Sequence, residues 1–315
     1  MLSRVADHLF WLGRYAERAE NTARLVDVTL RLASVPDGQP KEGEGSAWHS
    51  AIVSAGCEES YYAATDTAEA DAAIDHLVFD RTNPSSLVSC IDAARRNART
   101  VRTAVTATLW EALNTLWLEF DRRGAQAVAQ NDLATLLDWV KFSSMMVRGA
   151  ATETMLRGDA YWFLQLGTFV ERGDNTARIL DVKYHVLLPE HAPVGSAVDY
   201  FQWTALLRAM SASRAYGYVF RTPVQARNVA ELCILRREMP RSLAACASQT
   251  DRYLALLADT YGQRHVCQDM ARARHDRLAG LTVDEVFAFG MHEFLTDYVE
   301  RNNALTSAIV EAYLS

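Results

Sequence analysis

Glutamate, arginine, asparagine and aspartate recur at helical spacing in two separate stretches of this chain. Residues 12–28 read Leu-Gly-Arg-Tyr-Ala-Glu-Arg-Ala-Glu-Asn-Thr-Ala-Arg-Leu-Val-Asp-Val, and residues 166–182 read Leu-Gly-Thr-Phe-Val-Glu-Arg-Gly-Asp-Asn-Thr-Ala-Arg-Ile-Leu-Asp-Val; ten of seventeen positions agree at an offset of 154. At about 100° per residue, Arg14, Glu17, Glu20, Asn21, Arg24 and Asp27 form one polar stripe. Glu171, Asp174, Asn175, Arg178 and Asp181 form the second, with Thr168 in place of Arg14. Arg18 and Arg172 lie on the flank. The polar identities are held while apolar positions exchange, which points to polar chemistry as well as packing. Arginine suits this because its fork makes paired, charge-assisted bonds to carboxylates or phosphates. Glu17, Arg18, Asn21, Arg24 and Asp27, with Glu171, Arg172, Asn175, Arg178 and Asp181, are therefore candidates for a buried hydrogen-bonded network or for a surface that takes an anion or a partner chain. The plainest alternative is a solvated face whose neighbouring pairs each contribute a few tenths of a kcal/mol.

Other chemistry is thin. No G-x-x-x-x-G-K-[ST] or G-x-G-x-x-G loop is present to cradle phosphates, and no Glu-x-x-His pair to hold a di-metal centre in a bundle. The adjacent pairs His275-Asp276 and His292-Glu293 point to different sides of a helix, and Glu190-His191 lies at a Pro-flanked turn. Neither a metal nor a cofactor is expected. The five cysteines (Cys57, Cys90, Cys233, Cys246, Cys267) are odd in number and widely spaced, a pattern of reduced, buried thiols. Phe10-Trp11 and Tyr161-Trp162-Phe163 precede the two motifs and read as core aromatics, with a partner anchor as the alternative.

Helices must position these residues. A 3.6-residue apolar pattern covers 3–33, with Ser3 as a candidate N-cap, and the small-residue face of Leu12, Tyr15, Ala16, Ala19, Ala23 and Val26 invites close approach by another helix. The run Pro36 to Gly45 reads as an exposed linker. Further helices are expected at 46–56, 66–78, from Asn83-Pro84 to about 105, 110–123, 132–156 and 159–188. After a turn at Pro189 and Pro193 they continue at 198–218, 223–238, 241–260, 266–279 and 283–313. No strand with period-two alternation appears. A second block, Asn83-Pro-Ser-Ser-Leu-Val-Ser-Cys90, resembles Met239-Pro-Arg-Ser-Leu-Ala-Ala-Cys246 at an offset of 156. The expected fold is all-α, a helical bundle of two tandem pseudo-equivalent halves, 1–155 and 156–315, packed as one unit.

The chain has 315 residues, ample for a sizeable core, and its composition suits helices: half is hydrophobic, with only 15 Gly and 7 Pro. A net charge of −7 gives no overall attraction to nucleic acid or anionic membrane. Charges within the first eight residues replace the apolar core of a signal peptide, and no run approaches the roughly 20 apolar residues of a membrane helix, so a cytoplasmic protein is expected.

The opening Leu2-Ser-Arg-Val-Ala-Asp7, the run Trp11-Leu-Gly-Arg-Tyr15, and Glu17-Arg-Ala-Glu-Asn-Thr-Ala-Arg24 resemble the bacterial alpha-E domain family. The Asn83-Pro-Ser-Ser86 block and Glu171-Arg-Gly-Asp-Asn-Thr-Ala-Arg178 extend the resemblance over essentially the whole chain. The resemblance implies an all-helical fold and company rather than catalysis. Such proteins typically accompany a circularly permuted ATP-grasp protein, often with a transglutaminase-like protein and sometimes a proteasome-like peptidase. A non-catalytic partner of an ATP-dependent amide or peptide ligase is the reading this favours. The alternatives are an enzyme with its own pocket, where Arg24 and Arg178 clamp an anion and Glu17 or Glu171 acts as base, and a homo-oligomeric scaffold.

Overall fold

The computed structural model describes residues 1–34, 46–186 and 197–315, and side chains throughout these except at 183–186 and 197–199. The expected linker from Pro36 to Gly45, the turn at Pro189 and Pro193, the pair Glu190-His191 and the side chain of His185 lie outside the described residues. Among those described, every regular element is helical. Eight helices precede residue 187: α1 (Ser3–Ala33), α2 (Ala47–Ala55), α3 (Glu58–Tyr62), α4 (Ala70–Ile74), α5 (Leu87–Thr100), α6 (Ala107–Gln130), α7 (Leu133–Thr154) and α8 (Asp159–Val186). Seven follow: α9 (Ala197–Ala209), α10 (Ser213–Phe220), α11 (Ala226–Ala230), α12 (Leu243–Tyr261), α13 (Val266–Gly280), α14 (Val283–Phe289) and α15 (Met291–Ile309). α4, α11 and α15 each run on into a single π-helical turn, at Asp75–Phe79, Glu231–Leu235 and Val310–Leu314.

Local chemistry sets these boundaries. Ser86 and Ser242 cap α5 and α12, each hydroxyl accepting from the backbone N–H three residues on, Ser89 at 3.2 Å and Ala245 at 3.0 Å. Asn83-Pro84 therefore precedes α5 rather than opening it. Asn83 instead ties the turn, accepting from Ser85 N–H and donating to the His76 carbonyl. Ser3 is not a cap either: it lies within the first turn of α1, and Leu2 occupies the cap position without a side-chain bond. The helix expected over 198–218 breaks where Ser211 takes φ 55°, and the one over 283–313 breaks at Gly290, φ 99°. The short helix α3 was not anticipated.

α1 and α8 are the spine of the fold. α1 packs against α8, α5, α7, α2 and α9, while α8 also packs against α12, α15 and α2. Every residue of α1 from Ala19 to Thr29 is buried, the polar ones included. The stripe is thus no solvated face. The turn Met155–Gly158 between α7 and α8 contains the expected boundary between the halves. No described helix is long and apolar enough to cross a membrane.

Candidate functional site

α1 and α8 meet through two glycines. A Cβ on Gly13 would lie 2.1 Å from the backbone oxygen of Leu164, and one on Gly167 2.0 Å from that of Phe10. Such backbone contact admits no side chain. Gly13 projects on the same side of α1 as Glu17 and Glu20, so closest approach occurs on the polar side. The small-residue face of Leu12, Ala19, Ala23 and Val26 is instead buried in the apolar core.

One turn beyond the glycines the repeated Glu-Arg pairs interlock. Arg172 donates Nε to Glu17 Oε1 at 2.9 Å and Nη2 to Oε2 at 2.7 Å. Reciprocally, Arg18 donates Nε to Glu171 Oε1 at 2.5 Å and Nη2 to Oε2 at 3.1 Å. Each helix thus gives its glutamate to one two-pronged bridge and its arginine to the other, a geometry that only a planar guanidinium supplies. Arg14 adds a bond to Glu171 Oε2 at 2.7 Å, over the face of Trp11.

On the Glu17 side more arginines converge. Arg241, in the turn before α12, donates Nη1 to Glu17 Oε1 at 2.8 Å and Nη2 to Glu20 Oε1. Arg148 of α7 reaches Glu17 Oε2 at 3.5 Å and also bonds Glu20 Oε2. Arg24 bonds Glu20 Oε1 at 2.6 Å through Nη2 and turns Nη1 to the Ala209 carbonyl and the Ser211 hydroxyl at the end of α9. On α8, Arg178 repeats the arrangement. Its Nε bonds Asp174 Oδ2 at 2.6 Å and its Nη1 bonds the Ser54 carbonyl near the end of α2.

Burial and charge oppose each other here. Burial pushes the Glu17 carboxyl up, but Arg172, Arg241 and Arg148 overcome it and hold the group well below the usual range. Glu171, equally buried, is held at about 2 by Arg18 and Arg14. The crowd of cations tells on the arginines: burial pulls Arg24, Arg148 and Arg241 down, and the neighbouring guanidiniums add to the effect. Arg172, gripped by Glu17 alone, moves up. Guanidinium is basic enough that all four stay charged near neutral pH, so four cations surround Glu17 and Glu20.

The remaining candidates lie further along. Asp27 bonds Arg31 Nε at 3.0 Å and Lys141 Nζ at 2.9 Å, and Asp181 pairs with His292 Nδ1 at 2.7 Å. Asn21 and Asn175 are buried between the helices. Arg148 and Arg241 were not anticipated. Arg241 stands in the second repeated block, whose register was the available signal; nothing in the sequence marks Arg148. All five cysteines are free and buried, and burial pushes Cys90, Cys233 and Cys246 up to about 12. Among the described residues no group of three or more His, Cys, Asp or Glu side chains is placed to hold a metal ion.

Comparison with known proteins places this geometry. Over 184 residues the chain is 28% identical to an uncharacterized protein of Mycobacterium bovis and, likewise at 28%, to uncharacterized proteins from two Mycobacterium tuberculosis strains. The matched region covers 54% of this chain and 21% of each relative, so it spans about a fifth of their length. No solved structure matches. A family described as a predicted alpha-helical domain with a conserved ER motif matches residues 1–314, and the crossed Glu17–Arg172 and Arg18–Glu171 bridges are made by two such Glu-Arg pairs. The chain belongs to the Alpha-E family.

Proposed function

We propose that this chain is a non-catalytic helical partner of a circularly permuted ATP-grasp protein, acting in amide or peptide ligation in the cytoplasm. The observation that carries the reading is the inward pairing of the motif. Glu17 and Glu171 have their carboxylates gripped by two or more guanidiniums each. A carboxylate held near 2, as Glu171 is, makes a weak general base at neutral pH. The buried thiols are equally poor nucleophiles. The motif's work on this reading is to fix how α1 sits on α8, since breaking a buried pair leaves an uncompensated charge.

The two halves, 1–155 and 156–315, are read as diverged copies of one unit. The reciprocal contacts of Gly13 and Gly167 support this, as do the crossed Glu-Arg bridges and the matching capped helices α5 and α12. An exposed apolar run on α7, Phe142, Met145 and Met146, spaced to share one helix face, supports docking to another chain. The longer mycobacterial relatives are compatible with a unit that works beside other domains. A transglutaminase-like protein and a proteasome-like peptidase are further expected partners.

The test is co-purification with an ATP-grasp protein encoded beside this chain, followed by ATP-consumption assays of each alone and of the pair on amino acids and peptides. A stable complex with turnover only when the ATP-grasp protein is present supports the reading. Turnover by this chain alone overturns it in favour of an enzyme, and self-association without a complex favours a scaffold.

A further inference from the structure

Outside the α1–α8 crossing, a carboxylate, an imidazole and a hydroxyl stand in line. In the π-helical turn Asp75–Phe79 that follows α4, His76 turns Nδ1 to Asp80 Oδ2 at 3.1 Å and Nε2 to the hydroxyl of Ser60, on α3, also at 3.1 Å. Asp80 is itself held: its Oδ1 accepts the Thr82 backbone N–H at 2.8 Å and the Thr82 hydroxyl at 2.7 Å, leaving Oδ2 for the ring. The Thr82 bonds keep the Asp80 carboxyl below the usual carboxylate range, so it is an anion that only accepts. Nδ1 must then carry the ring proton, and in the neutral imidazole Nε2 presents its lone pair to Ser60. Asn83 Nδ2 donates to the His76 carbonyl at 2.9 Å, and the ring packs edge-on against Tyr61 with centroids 5.4 Å apart. The base is fixed from several sides.

Exposure follows the order that nucleophilic chemistry needs. Ser60 is open to solvent, whereas the His76 side chain is 12% exposed and that of Asp80 24%. The Ser60 hydroxyl also lies 3.0 Å from the Cys57 carbonyl, so rotation about one bond moves its proton between that carbonyl and His76. The fold itself does not require the pair. The turn Glu231–Leu235 stands at an offset of 156 from Asp75–Phe79 and takes the same π-helical form, yet Leu232 occupies the His76 position and Arg236, bonded to Glu231 at 2.9 Å, the Asp80 position. A π turn in this register thus forms without histidine or aspartate. Such turns frequently stand at functional sites.

We infer that Ser60 is an activated nucleophile that takes up an acyl group from an activated carboxyl compound, an ester or an acyl phosphate. Its Oγ attacks the carbonyl carbon while His76 Nε2 accepts the hydroxyl proton; the bond from that carbon to the leaving oxygen then breaks, and His76 returns the proton to the leaving oxygen. The products are an ester on Ser60 and a free alcohol or phosphate, with no change of oxidation state. Asp80 is a positioning residue: it holds the ring tautomer and stabilises the imidazolium that forms between the two proton transfers. Uptake of one acyl group needs neither turnover nor ATP. The inference therefore stands beside the ligase-partner reading and does not rest on it.

The test incubates the full chain with p-nitrophenyl acetate and, separately, with acetyl phosphate, quenches with acid at intervals and maps acetyl groups by peptide mass spectrometry. Ser307, exposed and bonded back to the Asn303 carbonyl, is the internal comparison. The expected result is acetylation of Ser60 about a hundredfold or more faster than that of Ser307 with at least one donor, the contribution of a positioned general base. The donor giving the larger ratio of Ser60 to Ser307 identifies the leaving group that the site suits. His76→Gln should bring Ser60 down to the Ser307 rate, and Asp80→Asn should slow Ser60 about tenfold or more, while melting of both variants stays cooperative. Acetylation of Ser60 no faster than that of Ser307 with either donor, or undiminished in a folded His76→Gln protein, would overturn the inference.

Discussion

Replacing Gly13 by alanine sets two effects of opposite sign against each other. Alanine is the better helix former by about 1 kcal/mol, so the substitution would stabilise an unencumbered helix. Here the new Cβ meets the backbone oxygen of Leu164 at 2.1 Å, and relief to an ordinary contact of 3.4 Å requires α1 and α8 to part locally by about 1.3 Å. The same parting carries the Arg172 Nη2–Glu17 Oε2 bond from 2.7 Å to about 4 Å, beyond hydrogen-bond reach. Overpacking of this kind costs about 1–3 kcal/mol, and loosening a buried bridge costs part of the roughly 3–5 kcal/mol that breaking it would. The net loss is about 3 kcal/mol, which at about 2 °C per kcal/mol for a chain of this size lowers Tm by about 6 °C. Gly149 supplies the matched comparison. It lies within α7, is exposed, and has nothing within 4 Å of its would-be Cβ. Gly149→Ala should raise Tm by about 1–2 °C through propensity alone. Calorimetry of the two variants decides the matter: a Gly13→Ala protein that melts with or above the parent refutes the backbone contact.

The acid limb of stability should come largely from the motif. Glu171 titrates at about 2 in the folded chain and near 4.5 when unfolded, so its contribution is complete above about pH 4.5 and disappears as pH falls toward 2. Urea titrations from pH 5 to 2.5 should show steeply falling stability, and Glu171→Gln should flatten that slope; an unchanged slope would contradict the assignment. The five cysteines should resist a thiol reagent in the native chain and all react in denaturant, since each is buried and pushed up. Rapid native labelling would show a thiol that the structure places in the core to be accessible.

How much the sequence disclosed depended on the range of each interaction. The long helices follow from local periodicity, and α1 runs over Ser3–Ala33 as its pattern implies. Breaks that rest on one backbone conformation, such as Ser211 and Gly290, leave little trace in an apolar pattern. The stripe was legible as a set of residues, because 100° per residue places Glu17, Asn21 and Arg24 together. Its partners were not, because Arg148 and Arg241 arrive from helices and turns more than one hundred residues away. Gly173 stands where the first copy has Ala19, and there the Tyr298 hydroxyl would meet a Cβ at 2.4 Å, a constraint set by a residue 125 positions away. The exchange of Arg14 for Thr168, by contrast, marked a difference between the two copies that the structure bears out. Arg14 bonds Glu171, whereas the Thr168 hydroxyl turns back to the Leu164 carbonyl within its own helix.

The central claim is that the Glu-Arg pairs hold the two long helices together, and a double-mutant cycle on Glu17 and Arg172 tests it most directly. Glu17→Gln should cost about 3–5 kcal/mol by leaving Arg172, Arg241 and Arg148 short of a buried counter-charge. Arg172→Gln should cost a similar amount, and the double variant about 1–3 kcal/mol less than the sum of the two. Additive losses, or a Glu17→Gln protein that keeps its full stability, would contradict the account.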